Sequence, residues 1–291
     1  EIASCLVGSE MCIRDRKKAL FREHQGDAWL HHAHTAISGS IENIKIWGFY
    51  SMTTNISAYN LSERQTQLDL SVLPYDFEDN VKVLSEQARQ TWNDVQDLEA
   101  SACPDNKAQI TITMHPSFAS QIYFPEEFLL VMGLECVGVR QVQCFPRDTS
   151  SCDTEDGEIT VALVCVGKRQ DIQAIPGKLE KVVSDTLVGK QIRTIESIEA
   201  VSIYDRLDIP NDYFDDHFLV GVYQTPGKTV EESKEDFKNY AQKNDLEVHP
   251  NFLVDKEGVF YVLLRGARYK LDAIGDYAYT FCVRVPPLKK A

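Results

Sequence analysis

The chain has 291 residues, 43% of them hydrophobic and 25% charged, with a formal net charge of -14. This composition is ordinary for a folded globular chain. It excludes wholesale disorder and leaves room for one large β-rich domain or two smaller ones. The acidic balance disfavours non-specific affinity for nucleic acid or anionic membrane, since like charge repels phosphate; the basic runs are confined to Lys289-Lys290 and Arg14-Asp15-Arg16-Lys17-Lys18, and no apolar run reaches the roughly 18 residues of a membrane-spanning helix.

Ser4 to Arg16 reads as the chance translation of a sequencing adapter, so residues 1–16 are expected to be a leader foreign to the natural protein. The rest divides into a β-rich domain over 17–175 and a second β-rich region over 176–291. His31-His32-Ala33-His34 could hold two imidazoles toward a metal if extended, because residues two apart share a face. With no third ligand to name, a solvated terminal segment is the competing reading. A strand is predicted over Ile41–Tyr50, with a bulge at Gly48, and another where Leu68, Leu70 and Val72 alternate with polar neighbours.

Phe77, Val81, Leu84, Ala88, Trp92 and Val95 recur at helical spacing and predict an amphipathic helix over 77–98. Ala108–Met114 alternates as a half-buried strand should. Pro125, the acidic pair Glu126-Glu127 and Gly133 predict a short capped helix over Pro125–Met132. Val137–Phe145 and Glu158–Val166 flank the turn-rich segment 146–157 and read as a hairpin with a long tip. Further strands are expected at Lys190–Tyr204, Phe218–Tyr223 and Val259–Arg265. In the last strand Tyr277, Tyr279, Phe281, Val283 and Val285 share one face.

Thr229-Val230-Glu231-Glu232 fits a capping box that opens a helix over 229–244 with Val230, Phe237 and Tyr240 or Ala241 inward. The order from there, helix, Asp255–Gly258 turn, strand, loosely echoes residues 77–134, without a residue-level repeat. The expected fold class is therefore α+β and β-rich, with antiparallel, sandwich-like sheets, two main packing helices and one short capped helix.

No Cys-x-x-Cys pair occurs, and phosphate-cradling loops, a Gly-x-Ser-x-Gly elbow and His-Glu-x-x-His are all missing, so no catalytic or cofactor-binding set can be named. If the hairpin turns near Ser150, Cys136 lies opposite Cys165 while Cys144 and Cys152 bracket the tip. Two nested disulfides would then suit Cα separations of about 5.5 Å, and buried free thiols are the other reading. Asp205, Asp208, Asp212, Asp215 and Asp216 crowd one loop as candidate cation ligands, although their spacing is not that of an EF-hand and a plain acidic surface loop is the favoured reading. His115 could serve a cysteine nucleophile in a hydrolase.

The run Leu73–Val81, its helix, the strand Ile110–Met114 and then Ile122–Leu134 together resemble the penton-like minor capsid proteins of Polinton/Maverick-type elements and adintoviruses. Tyr75, Leu130, Gly133 and Leu134 carry the likeness, with Met132 standing where the family has Leu before the glycine. The resemblance implies a non-enzymatic, β-sandwich-like structural protein that works through contacts between protein subunits in an oligomer and has no active site; no cofactor is expected, and the acidic charge argues against direct contact with nucleic acid. A secreted, disulfide-stabilised binding module and the cysteine-dependent hydrolase are the alternatives.

Overall fold

The computed structural model describes residues 72–119, 123–147, 157–254 and 258–286. The leader, the His31 cluster, the strand over Ile41–Tyr50, most of the strand ending at Val72, and Cys152 lie outside the described residues.

Helix α1 (Phe77–Val95) starts where Asp76 caps it, its Oδ1 accepting from the amides of Glu78 and Asp79 at 2.9 and 3.2 Å. Leu84, Ala88 and Val95 are buried as their spacing predicts. Phe77, Val81 and Trp92 are only half-buried, and polar Asn80, Ser85 and Thr91 go under in addition. The reason lies in what the helix covers. Strand β4 (Ile195–Ala200) ends the first sheet, and α1 supplies partners for its outer backbone groups. Gln87 Oε1 accepts from the Ile198 amide at 3.1 Å, Thr91 Oγ1 donates to the Ile198 carbonyl at 3.2 Å, and Asn80 Nδ2 donates to the Ile192 and Ile195 carbonyls at 2.7 and 3.2 Å. Buried backbone polar groups must be paired, so these polar side chains belong on the inward face.

The first sheet also contains β1 (Lys107–Met114), β2 (Leu134–Cys144) and β3 (Glu158–Lys168), in the order β2-β3-β1-β4 with every pairing antiparallel. Helix α2 (Glu126–Met132) joins β1 to β2, and α3 (Arg169–Leu179) with α4 (Leu187–Ile192) joins β3 to β4. After α5 (Ile203–Arg206) and the two-residue β5 (Leu207–Asp208) come β6 (His217–Tyr223), α6 (Val230–Lys243), β7 (Glu247–Val254), β8 (Val259–Arg265), α7 (Leu271–Asp276) and β9 (Thr280–Arg284). Their sheet has the order β5-β9-β6-β8-β7.

With β5 set aside, both sheets place their strands fourth, first, third, second, and both run strand, helix, strand, strand, helix, strand. This is the split β-α-β arrangement called ferredoxin-like. This repeat of topology sets α6 against α2 and leaves α1 outside it, so it is not the echo read between helix 229–244 and residues 77–134. The mixed α+β class is what the structure has: among the described residues one sheet is antiparallel, the other is mixed because β5 runs parallel to β9, and there are seven helices, of which α1, α6 and the short capped α2 are those expected.

In the second sheet Phe218, Val220, Val222, Phe260, Val262 and Leu264 face the helices, where Phe237 of α6 packs edge-on against Phe260 and Tyr277. The opposite, helix-free face carries Tyr223, and it meets the helix-free face of the first sheet. A Cβ added at Gly138 of β2 would fall 2.5 Å from the Tyr223 hydroxyl. Nearby, the Arg140 guanidinium lies 5.5 Å from the centre of the Phe281 ring and donates to the Phe281 carbonyl. The helices therefore lie outside a stack of two sheets.

Several elements differ from expectation. Lys190–Tyr204 is not one strand: Thr186 accepts from the Gly189 amide and Ser202 from the Tyr204 amide, so helices flank the six residues of β4. The last strand is Thr280–Arg284 alone, because Tyr277 closes α7, with its amide on the Ile274 carbonyl. Helix α3 escapes the sequence reading because Pro176 lies within it, although Ile172, Ile175 and Leu179 are fully buried. Strand β7 contains Pro250, which an edge strand tolerates. Helix α6 carries the expected capping box, with Thr229 Oγ1 accepting from the Glu232 amide at 3.2 Å and Glu232 Oε2 from the Thr229 amide at 2.7 Å.

Gly138→Ala should overpack the seam between the sheets and cost about 1–3 kcal/mol in denaturant unfolding, whereas a stability equal to wild type would show that the seam yields freely. Thr229→Ala should cost about 1 kcal/mol, read the same way.

Candidate functional site

The acidic loop does not converge as a cation site made of five aspartates. Asp205 lies in α5, Asp208 pairs with Arg284 at 3.6 Å, and Asp212 is exposed. Asp215 and Asp216 come together with His217, which the sequence reading did not single out: its Nδ1 is 2.8 Å from a carboxylate oxygen of each. The three side chains offer ligand atoms within 4.8 Å of one another. Those oxygens are already occupied. Asp215 Oδ1 also accepts from the amides of Asp216 and His217 at 2.6 and 3.2 Å, and Asp216 Oδ2 pairs with Arg265 at 2.8 Å. The hydrogen bond from His217, ahead of the backbone ones, holds the Asp215 carboxyl below its ordinary range.

This charge-paired turn finishes a loop that is held from several sides. Arg268 donates from Nη1 to the carbonyls of Pro210 and Tyr213 at 2.8 and 3.2 Å, and from Nη2 to that of Ile209 at 3.3 Å. Tyr213 packs edge-on against Phe218 at 5.8 Å and donates its hydroxyl to the His217 carbonyl at 2.7 Å. The residue between the held groups is Phe214, and it is 92% exposed. Arg206, at the start of the same stretch, is buried and donates to the carbonyls of Gly275 and Tyr277; burial pulls its guanidinium down to about 9, still charged at neutral pH. No hydrophobic pattern marks these arginines, and a run of aspartates beside an Arg is the only trace of the arrangement in the sequence.

A second concentration of polar groups surrounds Glu196, 5% exposed on β4. Tyr75 donates its hydroxyl to Oε2, while the backbone amide and Nε of Arg147 donate to Oε1 at 3.0 and 3.2 Å. Arg147 lies over the Tyr75 ring at 4.3 Å and reaches Asn80 Oδ1 at 2.7 Å. This arrangement ties the segment before α1, the hairpin tip and β4 together around one buried charge. It is a closed set of partners, as a buried carboxylate requires.

Tyr75 is therefore structural, and the other residues that carry the family likeness separate. Gly133 ends α2 at φ 78°, with its amide on the Leu129 and Leu130 carbonyls; Leu134 is buried at the head of β2, and Leu130 is 72% exposed. His115 is 3% exposed, and its Nδ1 accepts from the Ser117 amide at 3.3 Å, which caps the turn after β1. Edge-on contact with Tyr75 at 5.4 Å packs its ring. Cys136 and Cys165 are direct register partners across β2 and β3, both as free thiols, and Cys144 stands opposite Glu158. Burial pushes the thiols of Cys103, Cys165 and Cys282 up, the reverse of what activates a nucleophile.

No family model matches the chain, and no curated protein matches it. Among the described residues no helix is long and apolar enough to cross a membrane.

Tyr75→Phe removes a donor from the buried Glu196 carboxylate and should cost about 1.5–3 kcal/mol in denaturant unfolding; a neutral result would mean that Arg147 alone satisfies it. A thiol-reactive probe at neutral pH should label Cys103, Cys165 and Cys282 slowly, and rapid labelling of any of the three would contradict their burial.

Proposed function

We propose that this is a non-enzymatic structural or assembly protein, of the viral or mobile-element kind, which works through contacts between its own subunits. The observation that carries the reading is Phe214. A phenylalanine displayed at 92% exposure on a loop clamped by Arg268, Tyr213 and the Asp215–His217 turn is an anchor already held in place, so burying it against a partner costs little ordering entropy. Tyr269 and Tyr204, 76% and 70% exposed, lie in segments adjoining the same loop. Aromatic and arginine side chains of this sort dominate the energetics of protein contacts.

The secreted-module reading draws on a different observation, the direct pairing of Cys136 with Cys165, and thiol titration of native material decides it. Two bridged cysteines there would favour it, and two free ones would remove it.

The wild-type chain should self-associate in sedimentation velocity at high concentration. Phe214→Ala should weaken the association by about 10- to 100-fold, equivalent to roughly 1.5–3 kcal/mol for one buried phenylalanine, with an unchanged melting temperature. A wild-type chain that stays monomeric at the highest attainable concentration would overturn the reading.

A further inference from the structure

A sheet edge is a row of unpaired amides and carbonyls, and folded chains block such rows against pairing with other chains. Among the described residues three of the four edges are blocked, each differently. Helix α1 covers β4 with the side chains of Asn80, Gln87 and Thr91, β7 carries Pro250, and β5 is only two residues long. The fourth edge is β2, eleven residues long and without proline, and among the described residues no strand lies on its outer side. A bulge between Cys136 and Gly138 interrupts its start, but from Gly138 to Cys144 its register with β3 is unbroken.

The outer half of β2 is also short of neighbours within its own sheet. Strand β1 pairs with β3 only as far as Thr113 opposite Ala162, whereas β2 and β3 continue to Cys144 opposite Glu158. Residues 141–144 and 158–161 therefore form a two-stranded arm beyond the end of β1, and two strands by themselves are marginal in water. The arm displays apolar side chains. Ile159, 65% exposed, shares a face with Val139 and Val161 by register, and Phe145, 58% exposed, follows the end of β2. Between Val137 and Phe145 the one charged residue is Arg140, whose guanidinium is held in the seam by the Phe281 carbonyl. No like charge on this stretch therefore opposes a strand of the same sequence.

We propose that β2 pairs antiparallel with β2 of a second copy across a two-fold axis near Gln141, a pairing that rests on the assembly reading and gives it a surface. Two arms then make one continuous sheet. A second copy is the occupant because the contact is self-complementary: each arm lacks a third strand and supplies one to the other, while the copy's remaining described edges are blocked. Main-chain hydrogen bonds join the two edges, and Phe145 of each copy lies beside the other copy's β2, less exposed than in the single chain. The axis also sets Gln141 opposite its own counterpart, so a charge placed there meets itself.

The test is sedimentation velocity of the full chain carrying Gln141→Lys or Gln141→Glu. Gln141 is exposed, so both variants should keep the wild-type melting temperature. Each alone should weaken association about tenfold, by setting like charges across the axis, and an equimolar mixture of the two should recover wild-type association. Hydrogen exchange gives a second reading: the outward amides of Val139 to Val142 should gain protection as the wild-type chain is concentrated. Unchanged association in both variants, or a mixture no stronger than either variant alone, would overturn the proposal. So would outward amides already protected in the dilute monomer, which would mean that another segment fills the edge. Association lost in Phe214→Ala yet indifferent to both Gln141 variants would sink the β2 pairing and leave the assembly reading standing, whereas a wild-type chain that stays monomeric removes both.

Discussion

The architecture depends on the contact between the helix-free faces of the two sheets, where the Tyr223 ring occupies the space that only a glycine at position 138 leaves open. Each four-stranded unit covers one face of its sheet with helices and leaves the other face uncovered, and stacking the bare faces buries apolar surface of both units at once. It also puts Arg140 within the seam, where its guanidinium lies over Phe281 and donates to the chain of the opposite sheet.

Around that seam the polar groups fall into two sorts. Most are closed sets. Asn80, Gln87 and Thr91 complete the outer edge of β4, Tyr75 and Arg147 enclose Glu196, and His217 with Arg265 holds the turn at Asp215 and Asp216. Such sets hold the fold in one arrangement and leave no group over for chemistry. The clamped loop is of another kind, because it displays the Phe214 side chain to solvent.

The acidic loop shows how composition can mislead about a site. Five aspartates within twelve residues suggest cation binding. The fold instead separates them onto a helix, a strand and a turn, and bonds those in the turn to a histidine and an arginine distant in sequence or inconspicuous in it. Their effect is to hold Phe214 outward. The exposed aromatic is the functional candidate, and the carboxylates are its support.

Local signals decided what needed only near neighbours. The apolar stripe of α1, the capping box of α6, the glycine that ends α2 and the alternation of β1 were legible because each element's own residues satisfy its backbone or form its buried face. The α+β class follows from those elements. What could not be read was whatever depends on a partner far along the chain. Asn80 and Thr91 look like surface positions until β4 lies beneath them. Glu196 looks like an exposed acid until Tyr75 and Arg147, 121 and 49 residues away, close over it. The shared strand order of the two units arises from pairings between distant segments, which hydrophobic periodicity does not encode because it records only which face is buried and not what buries it.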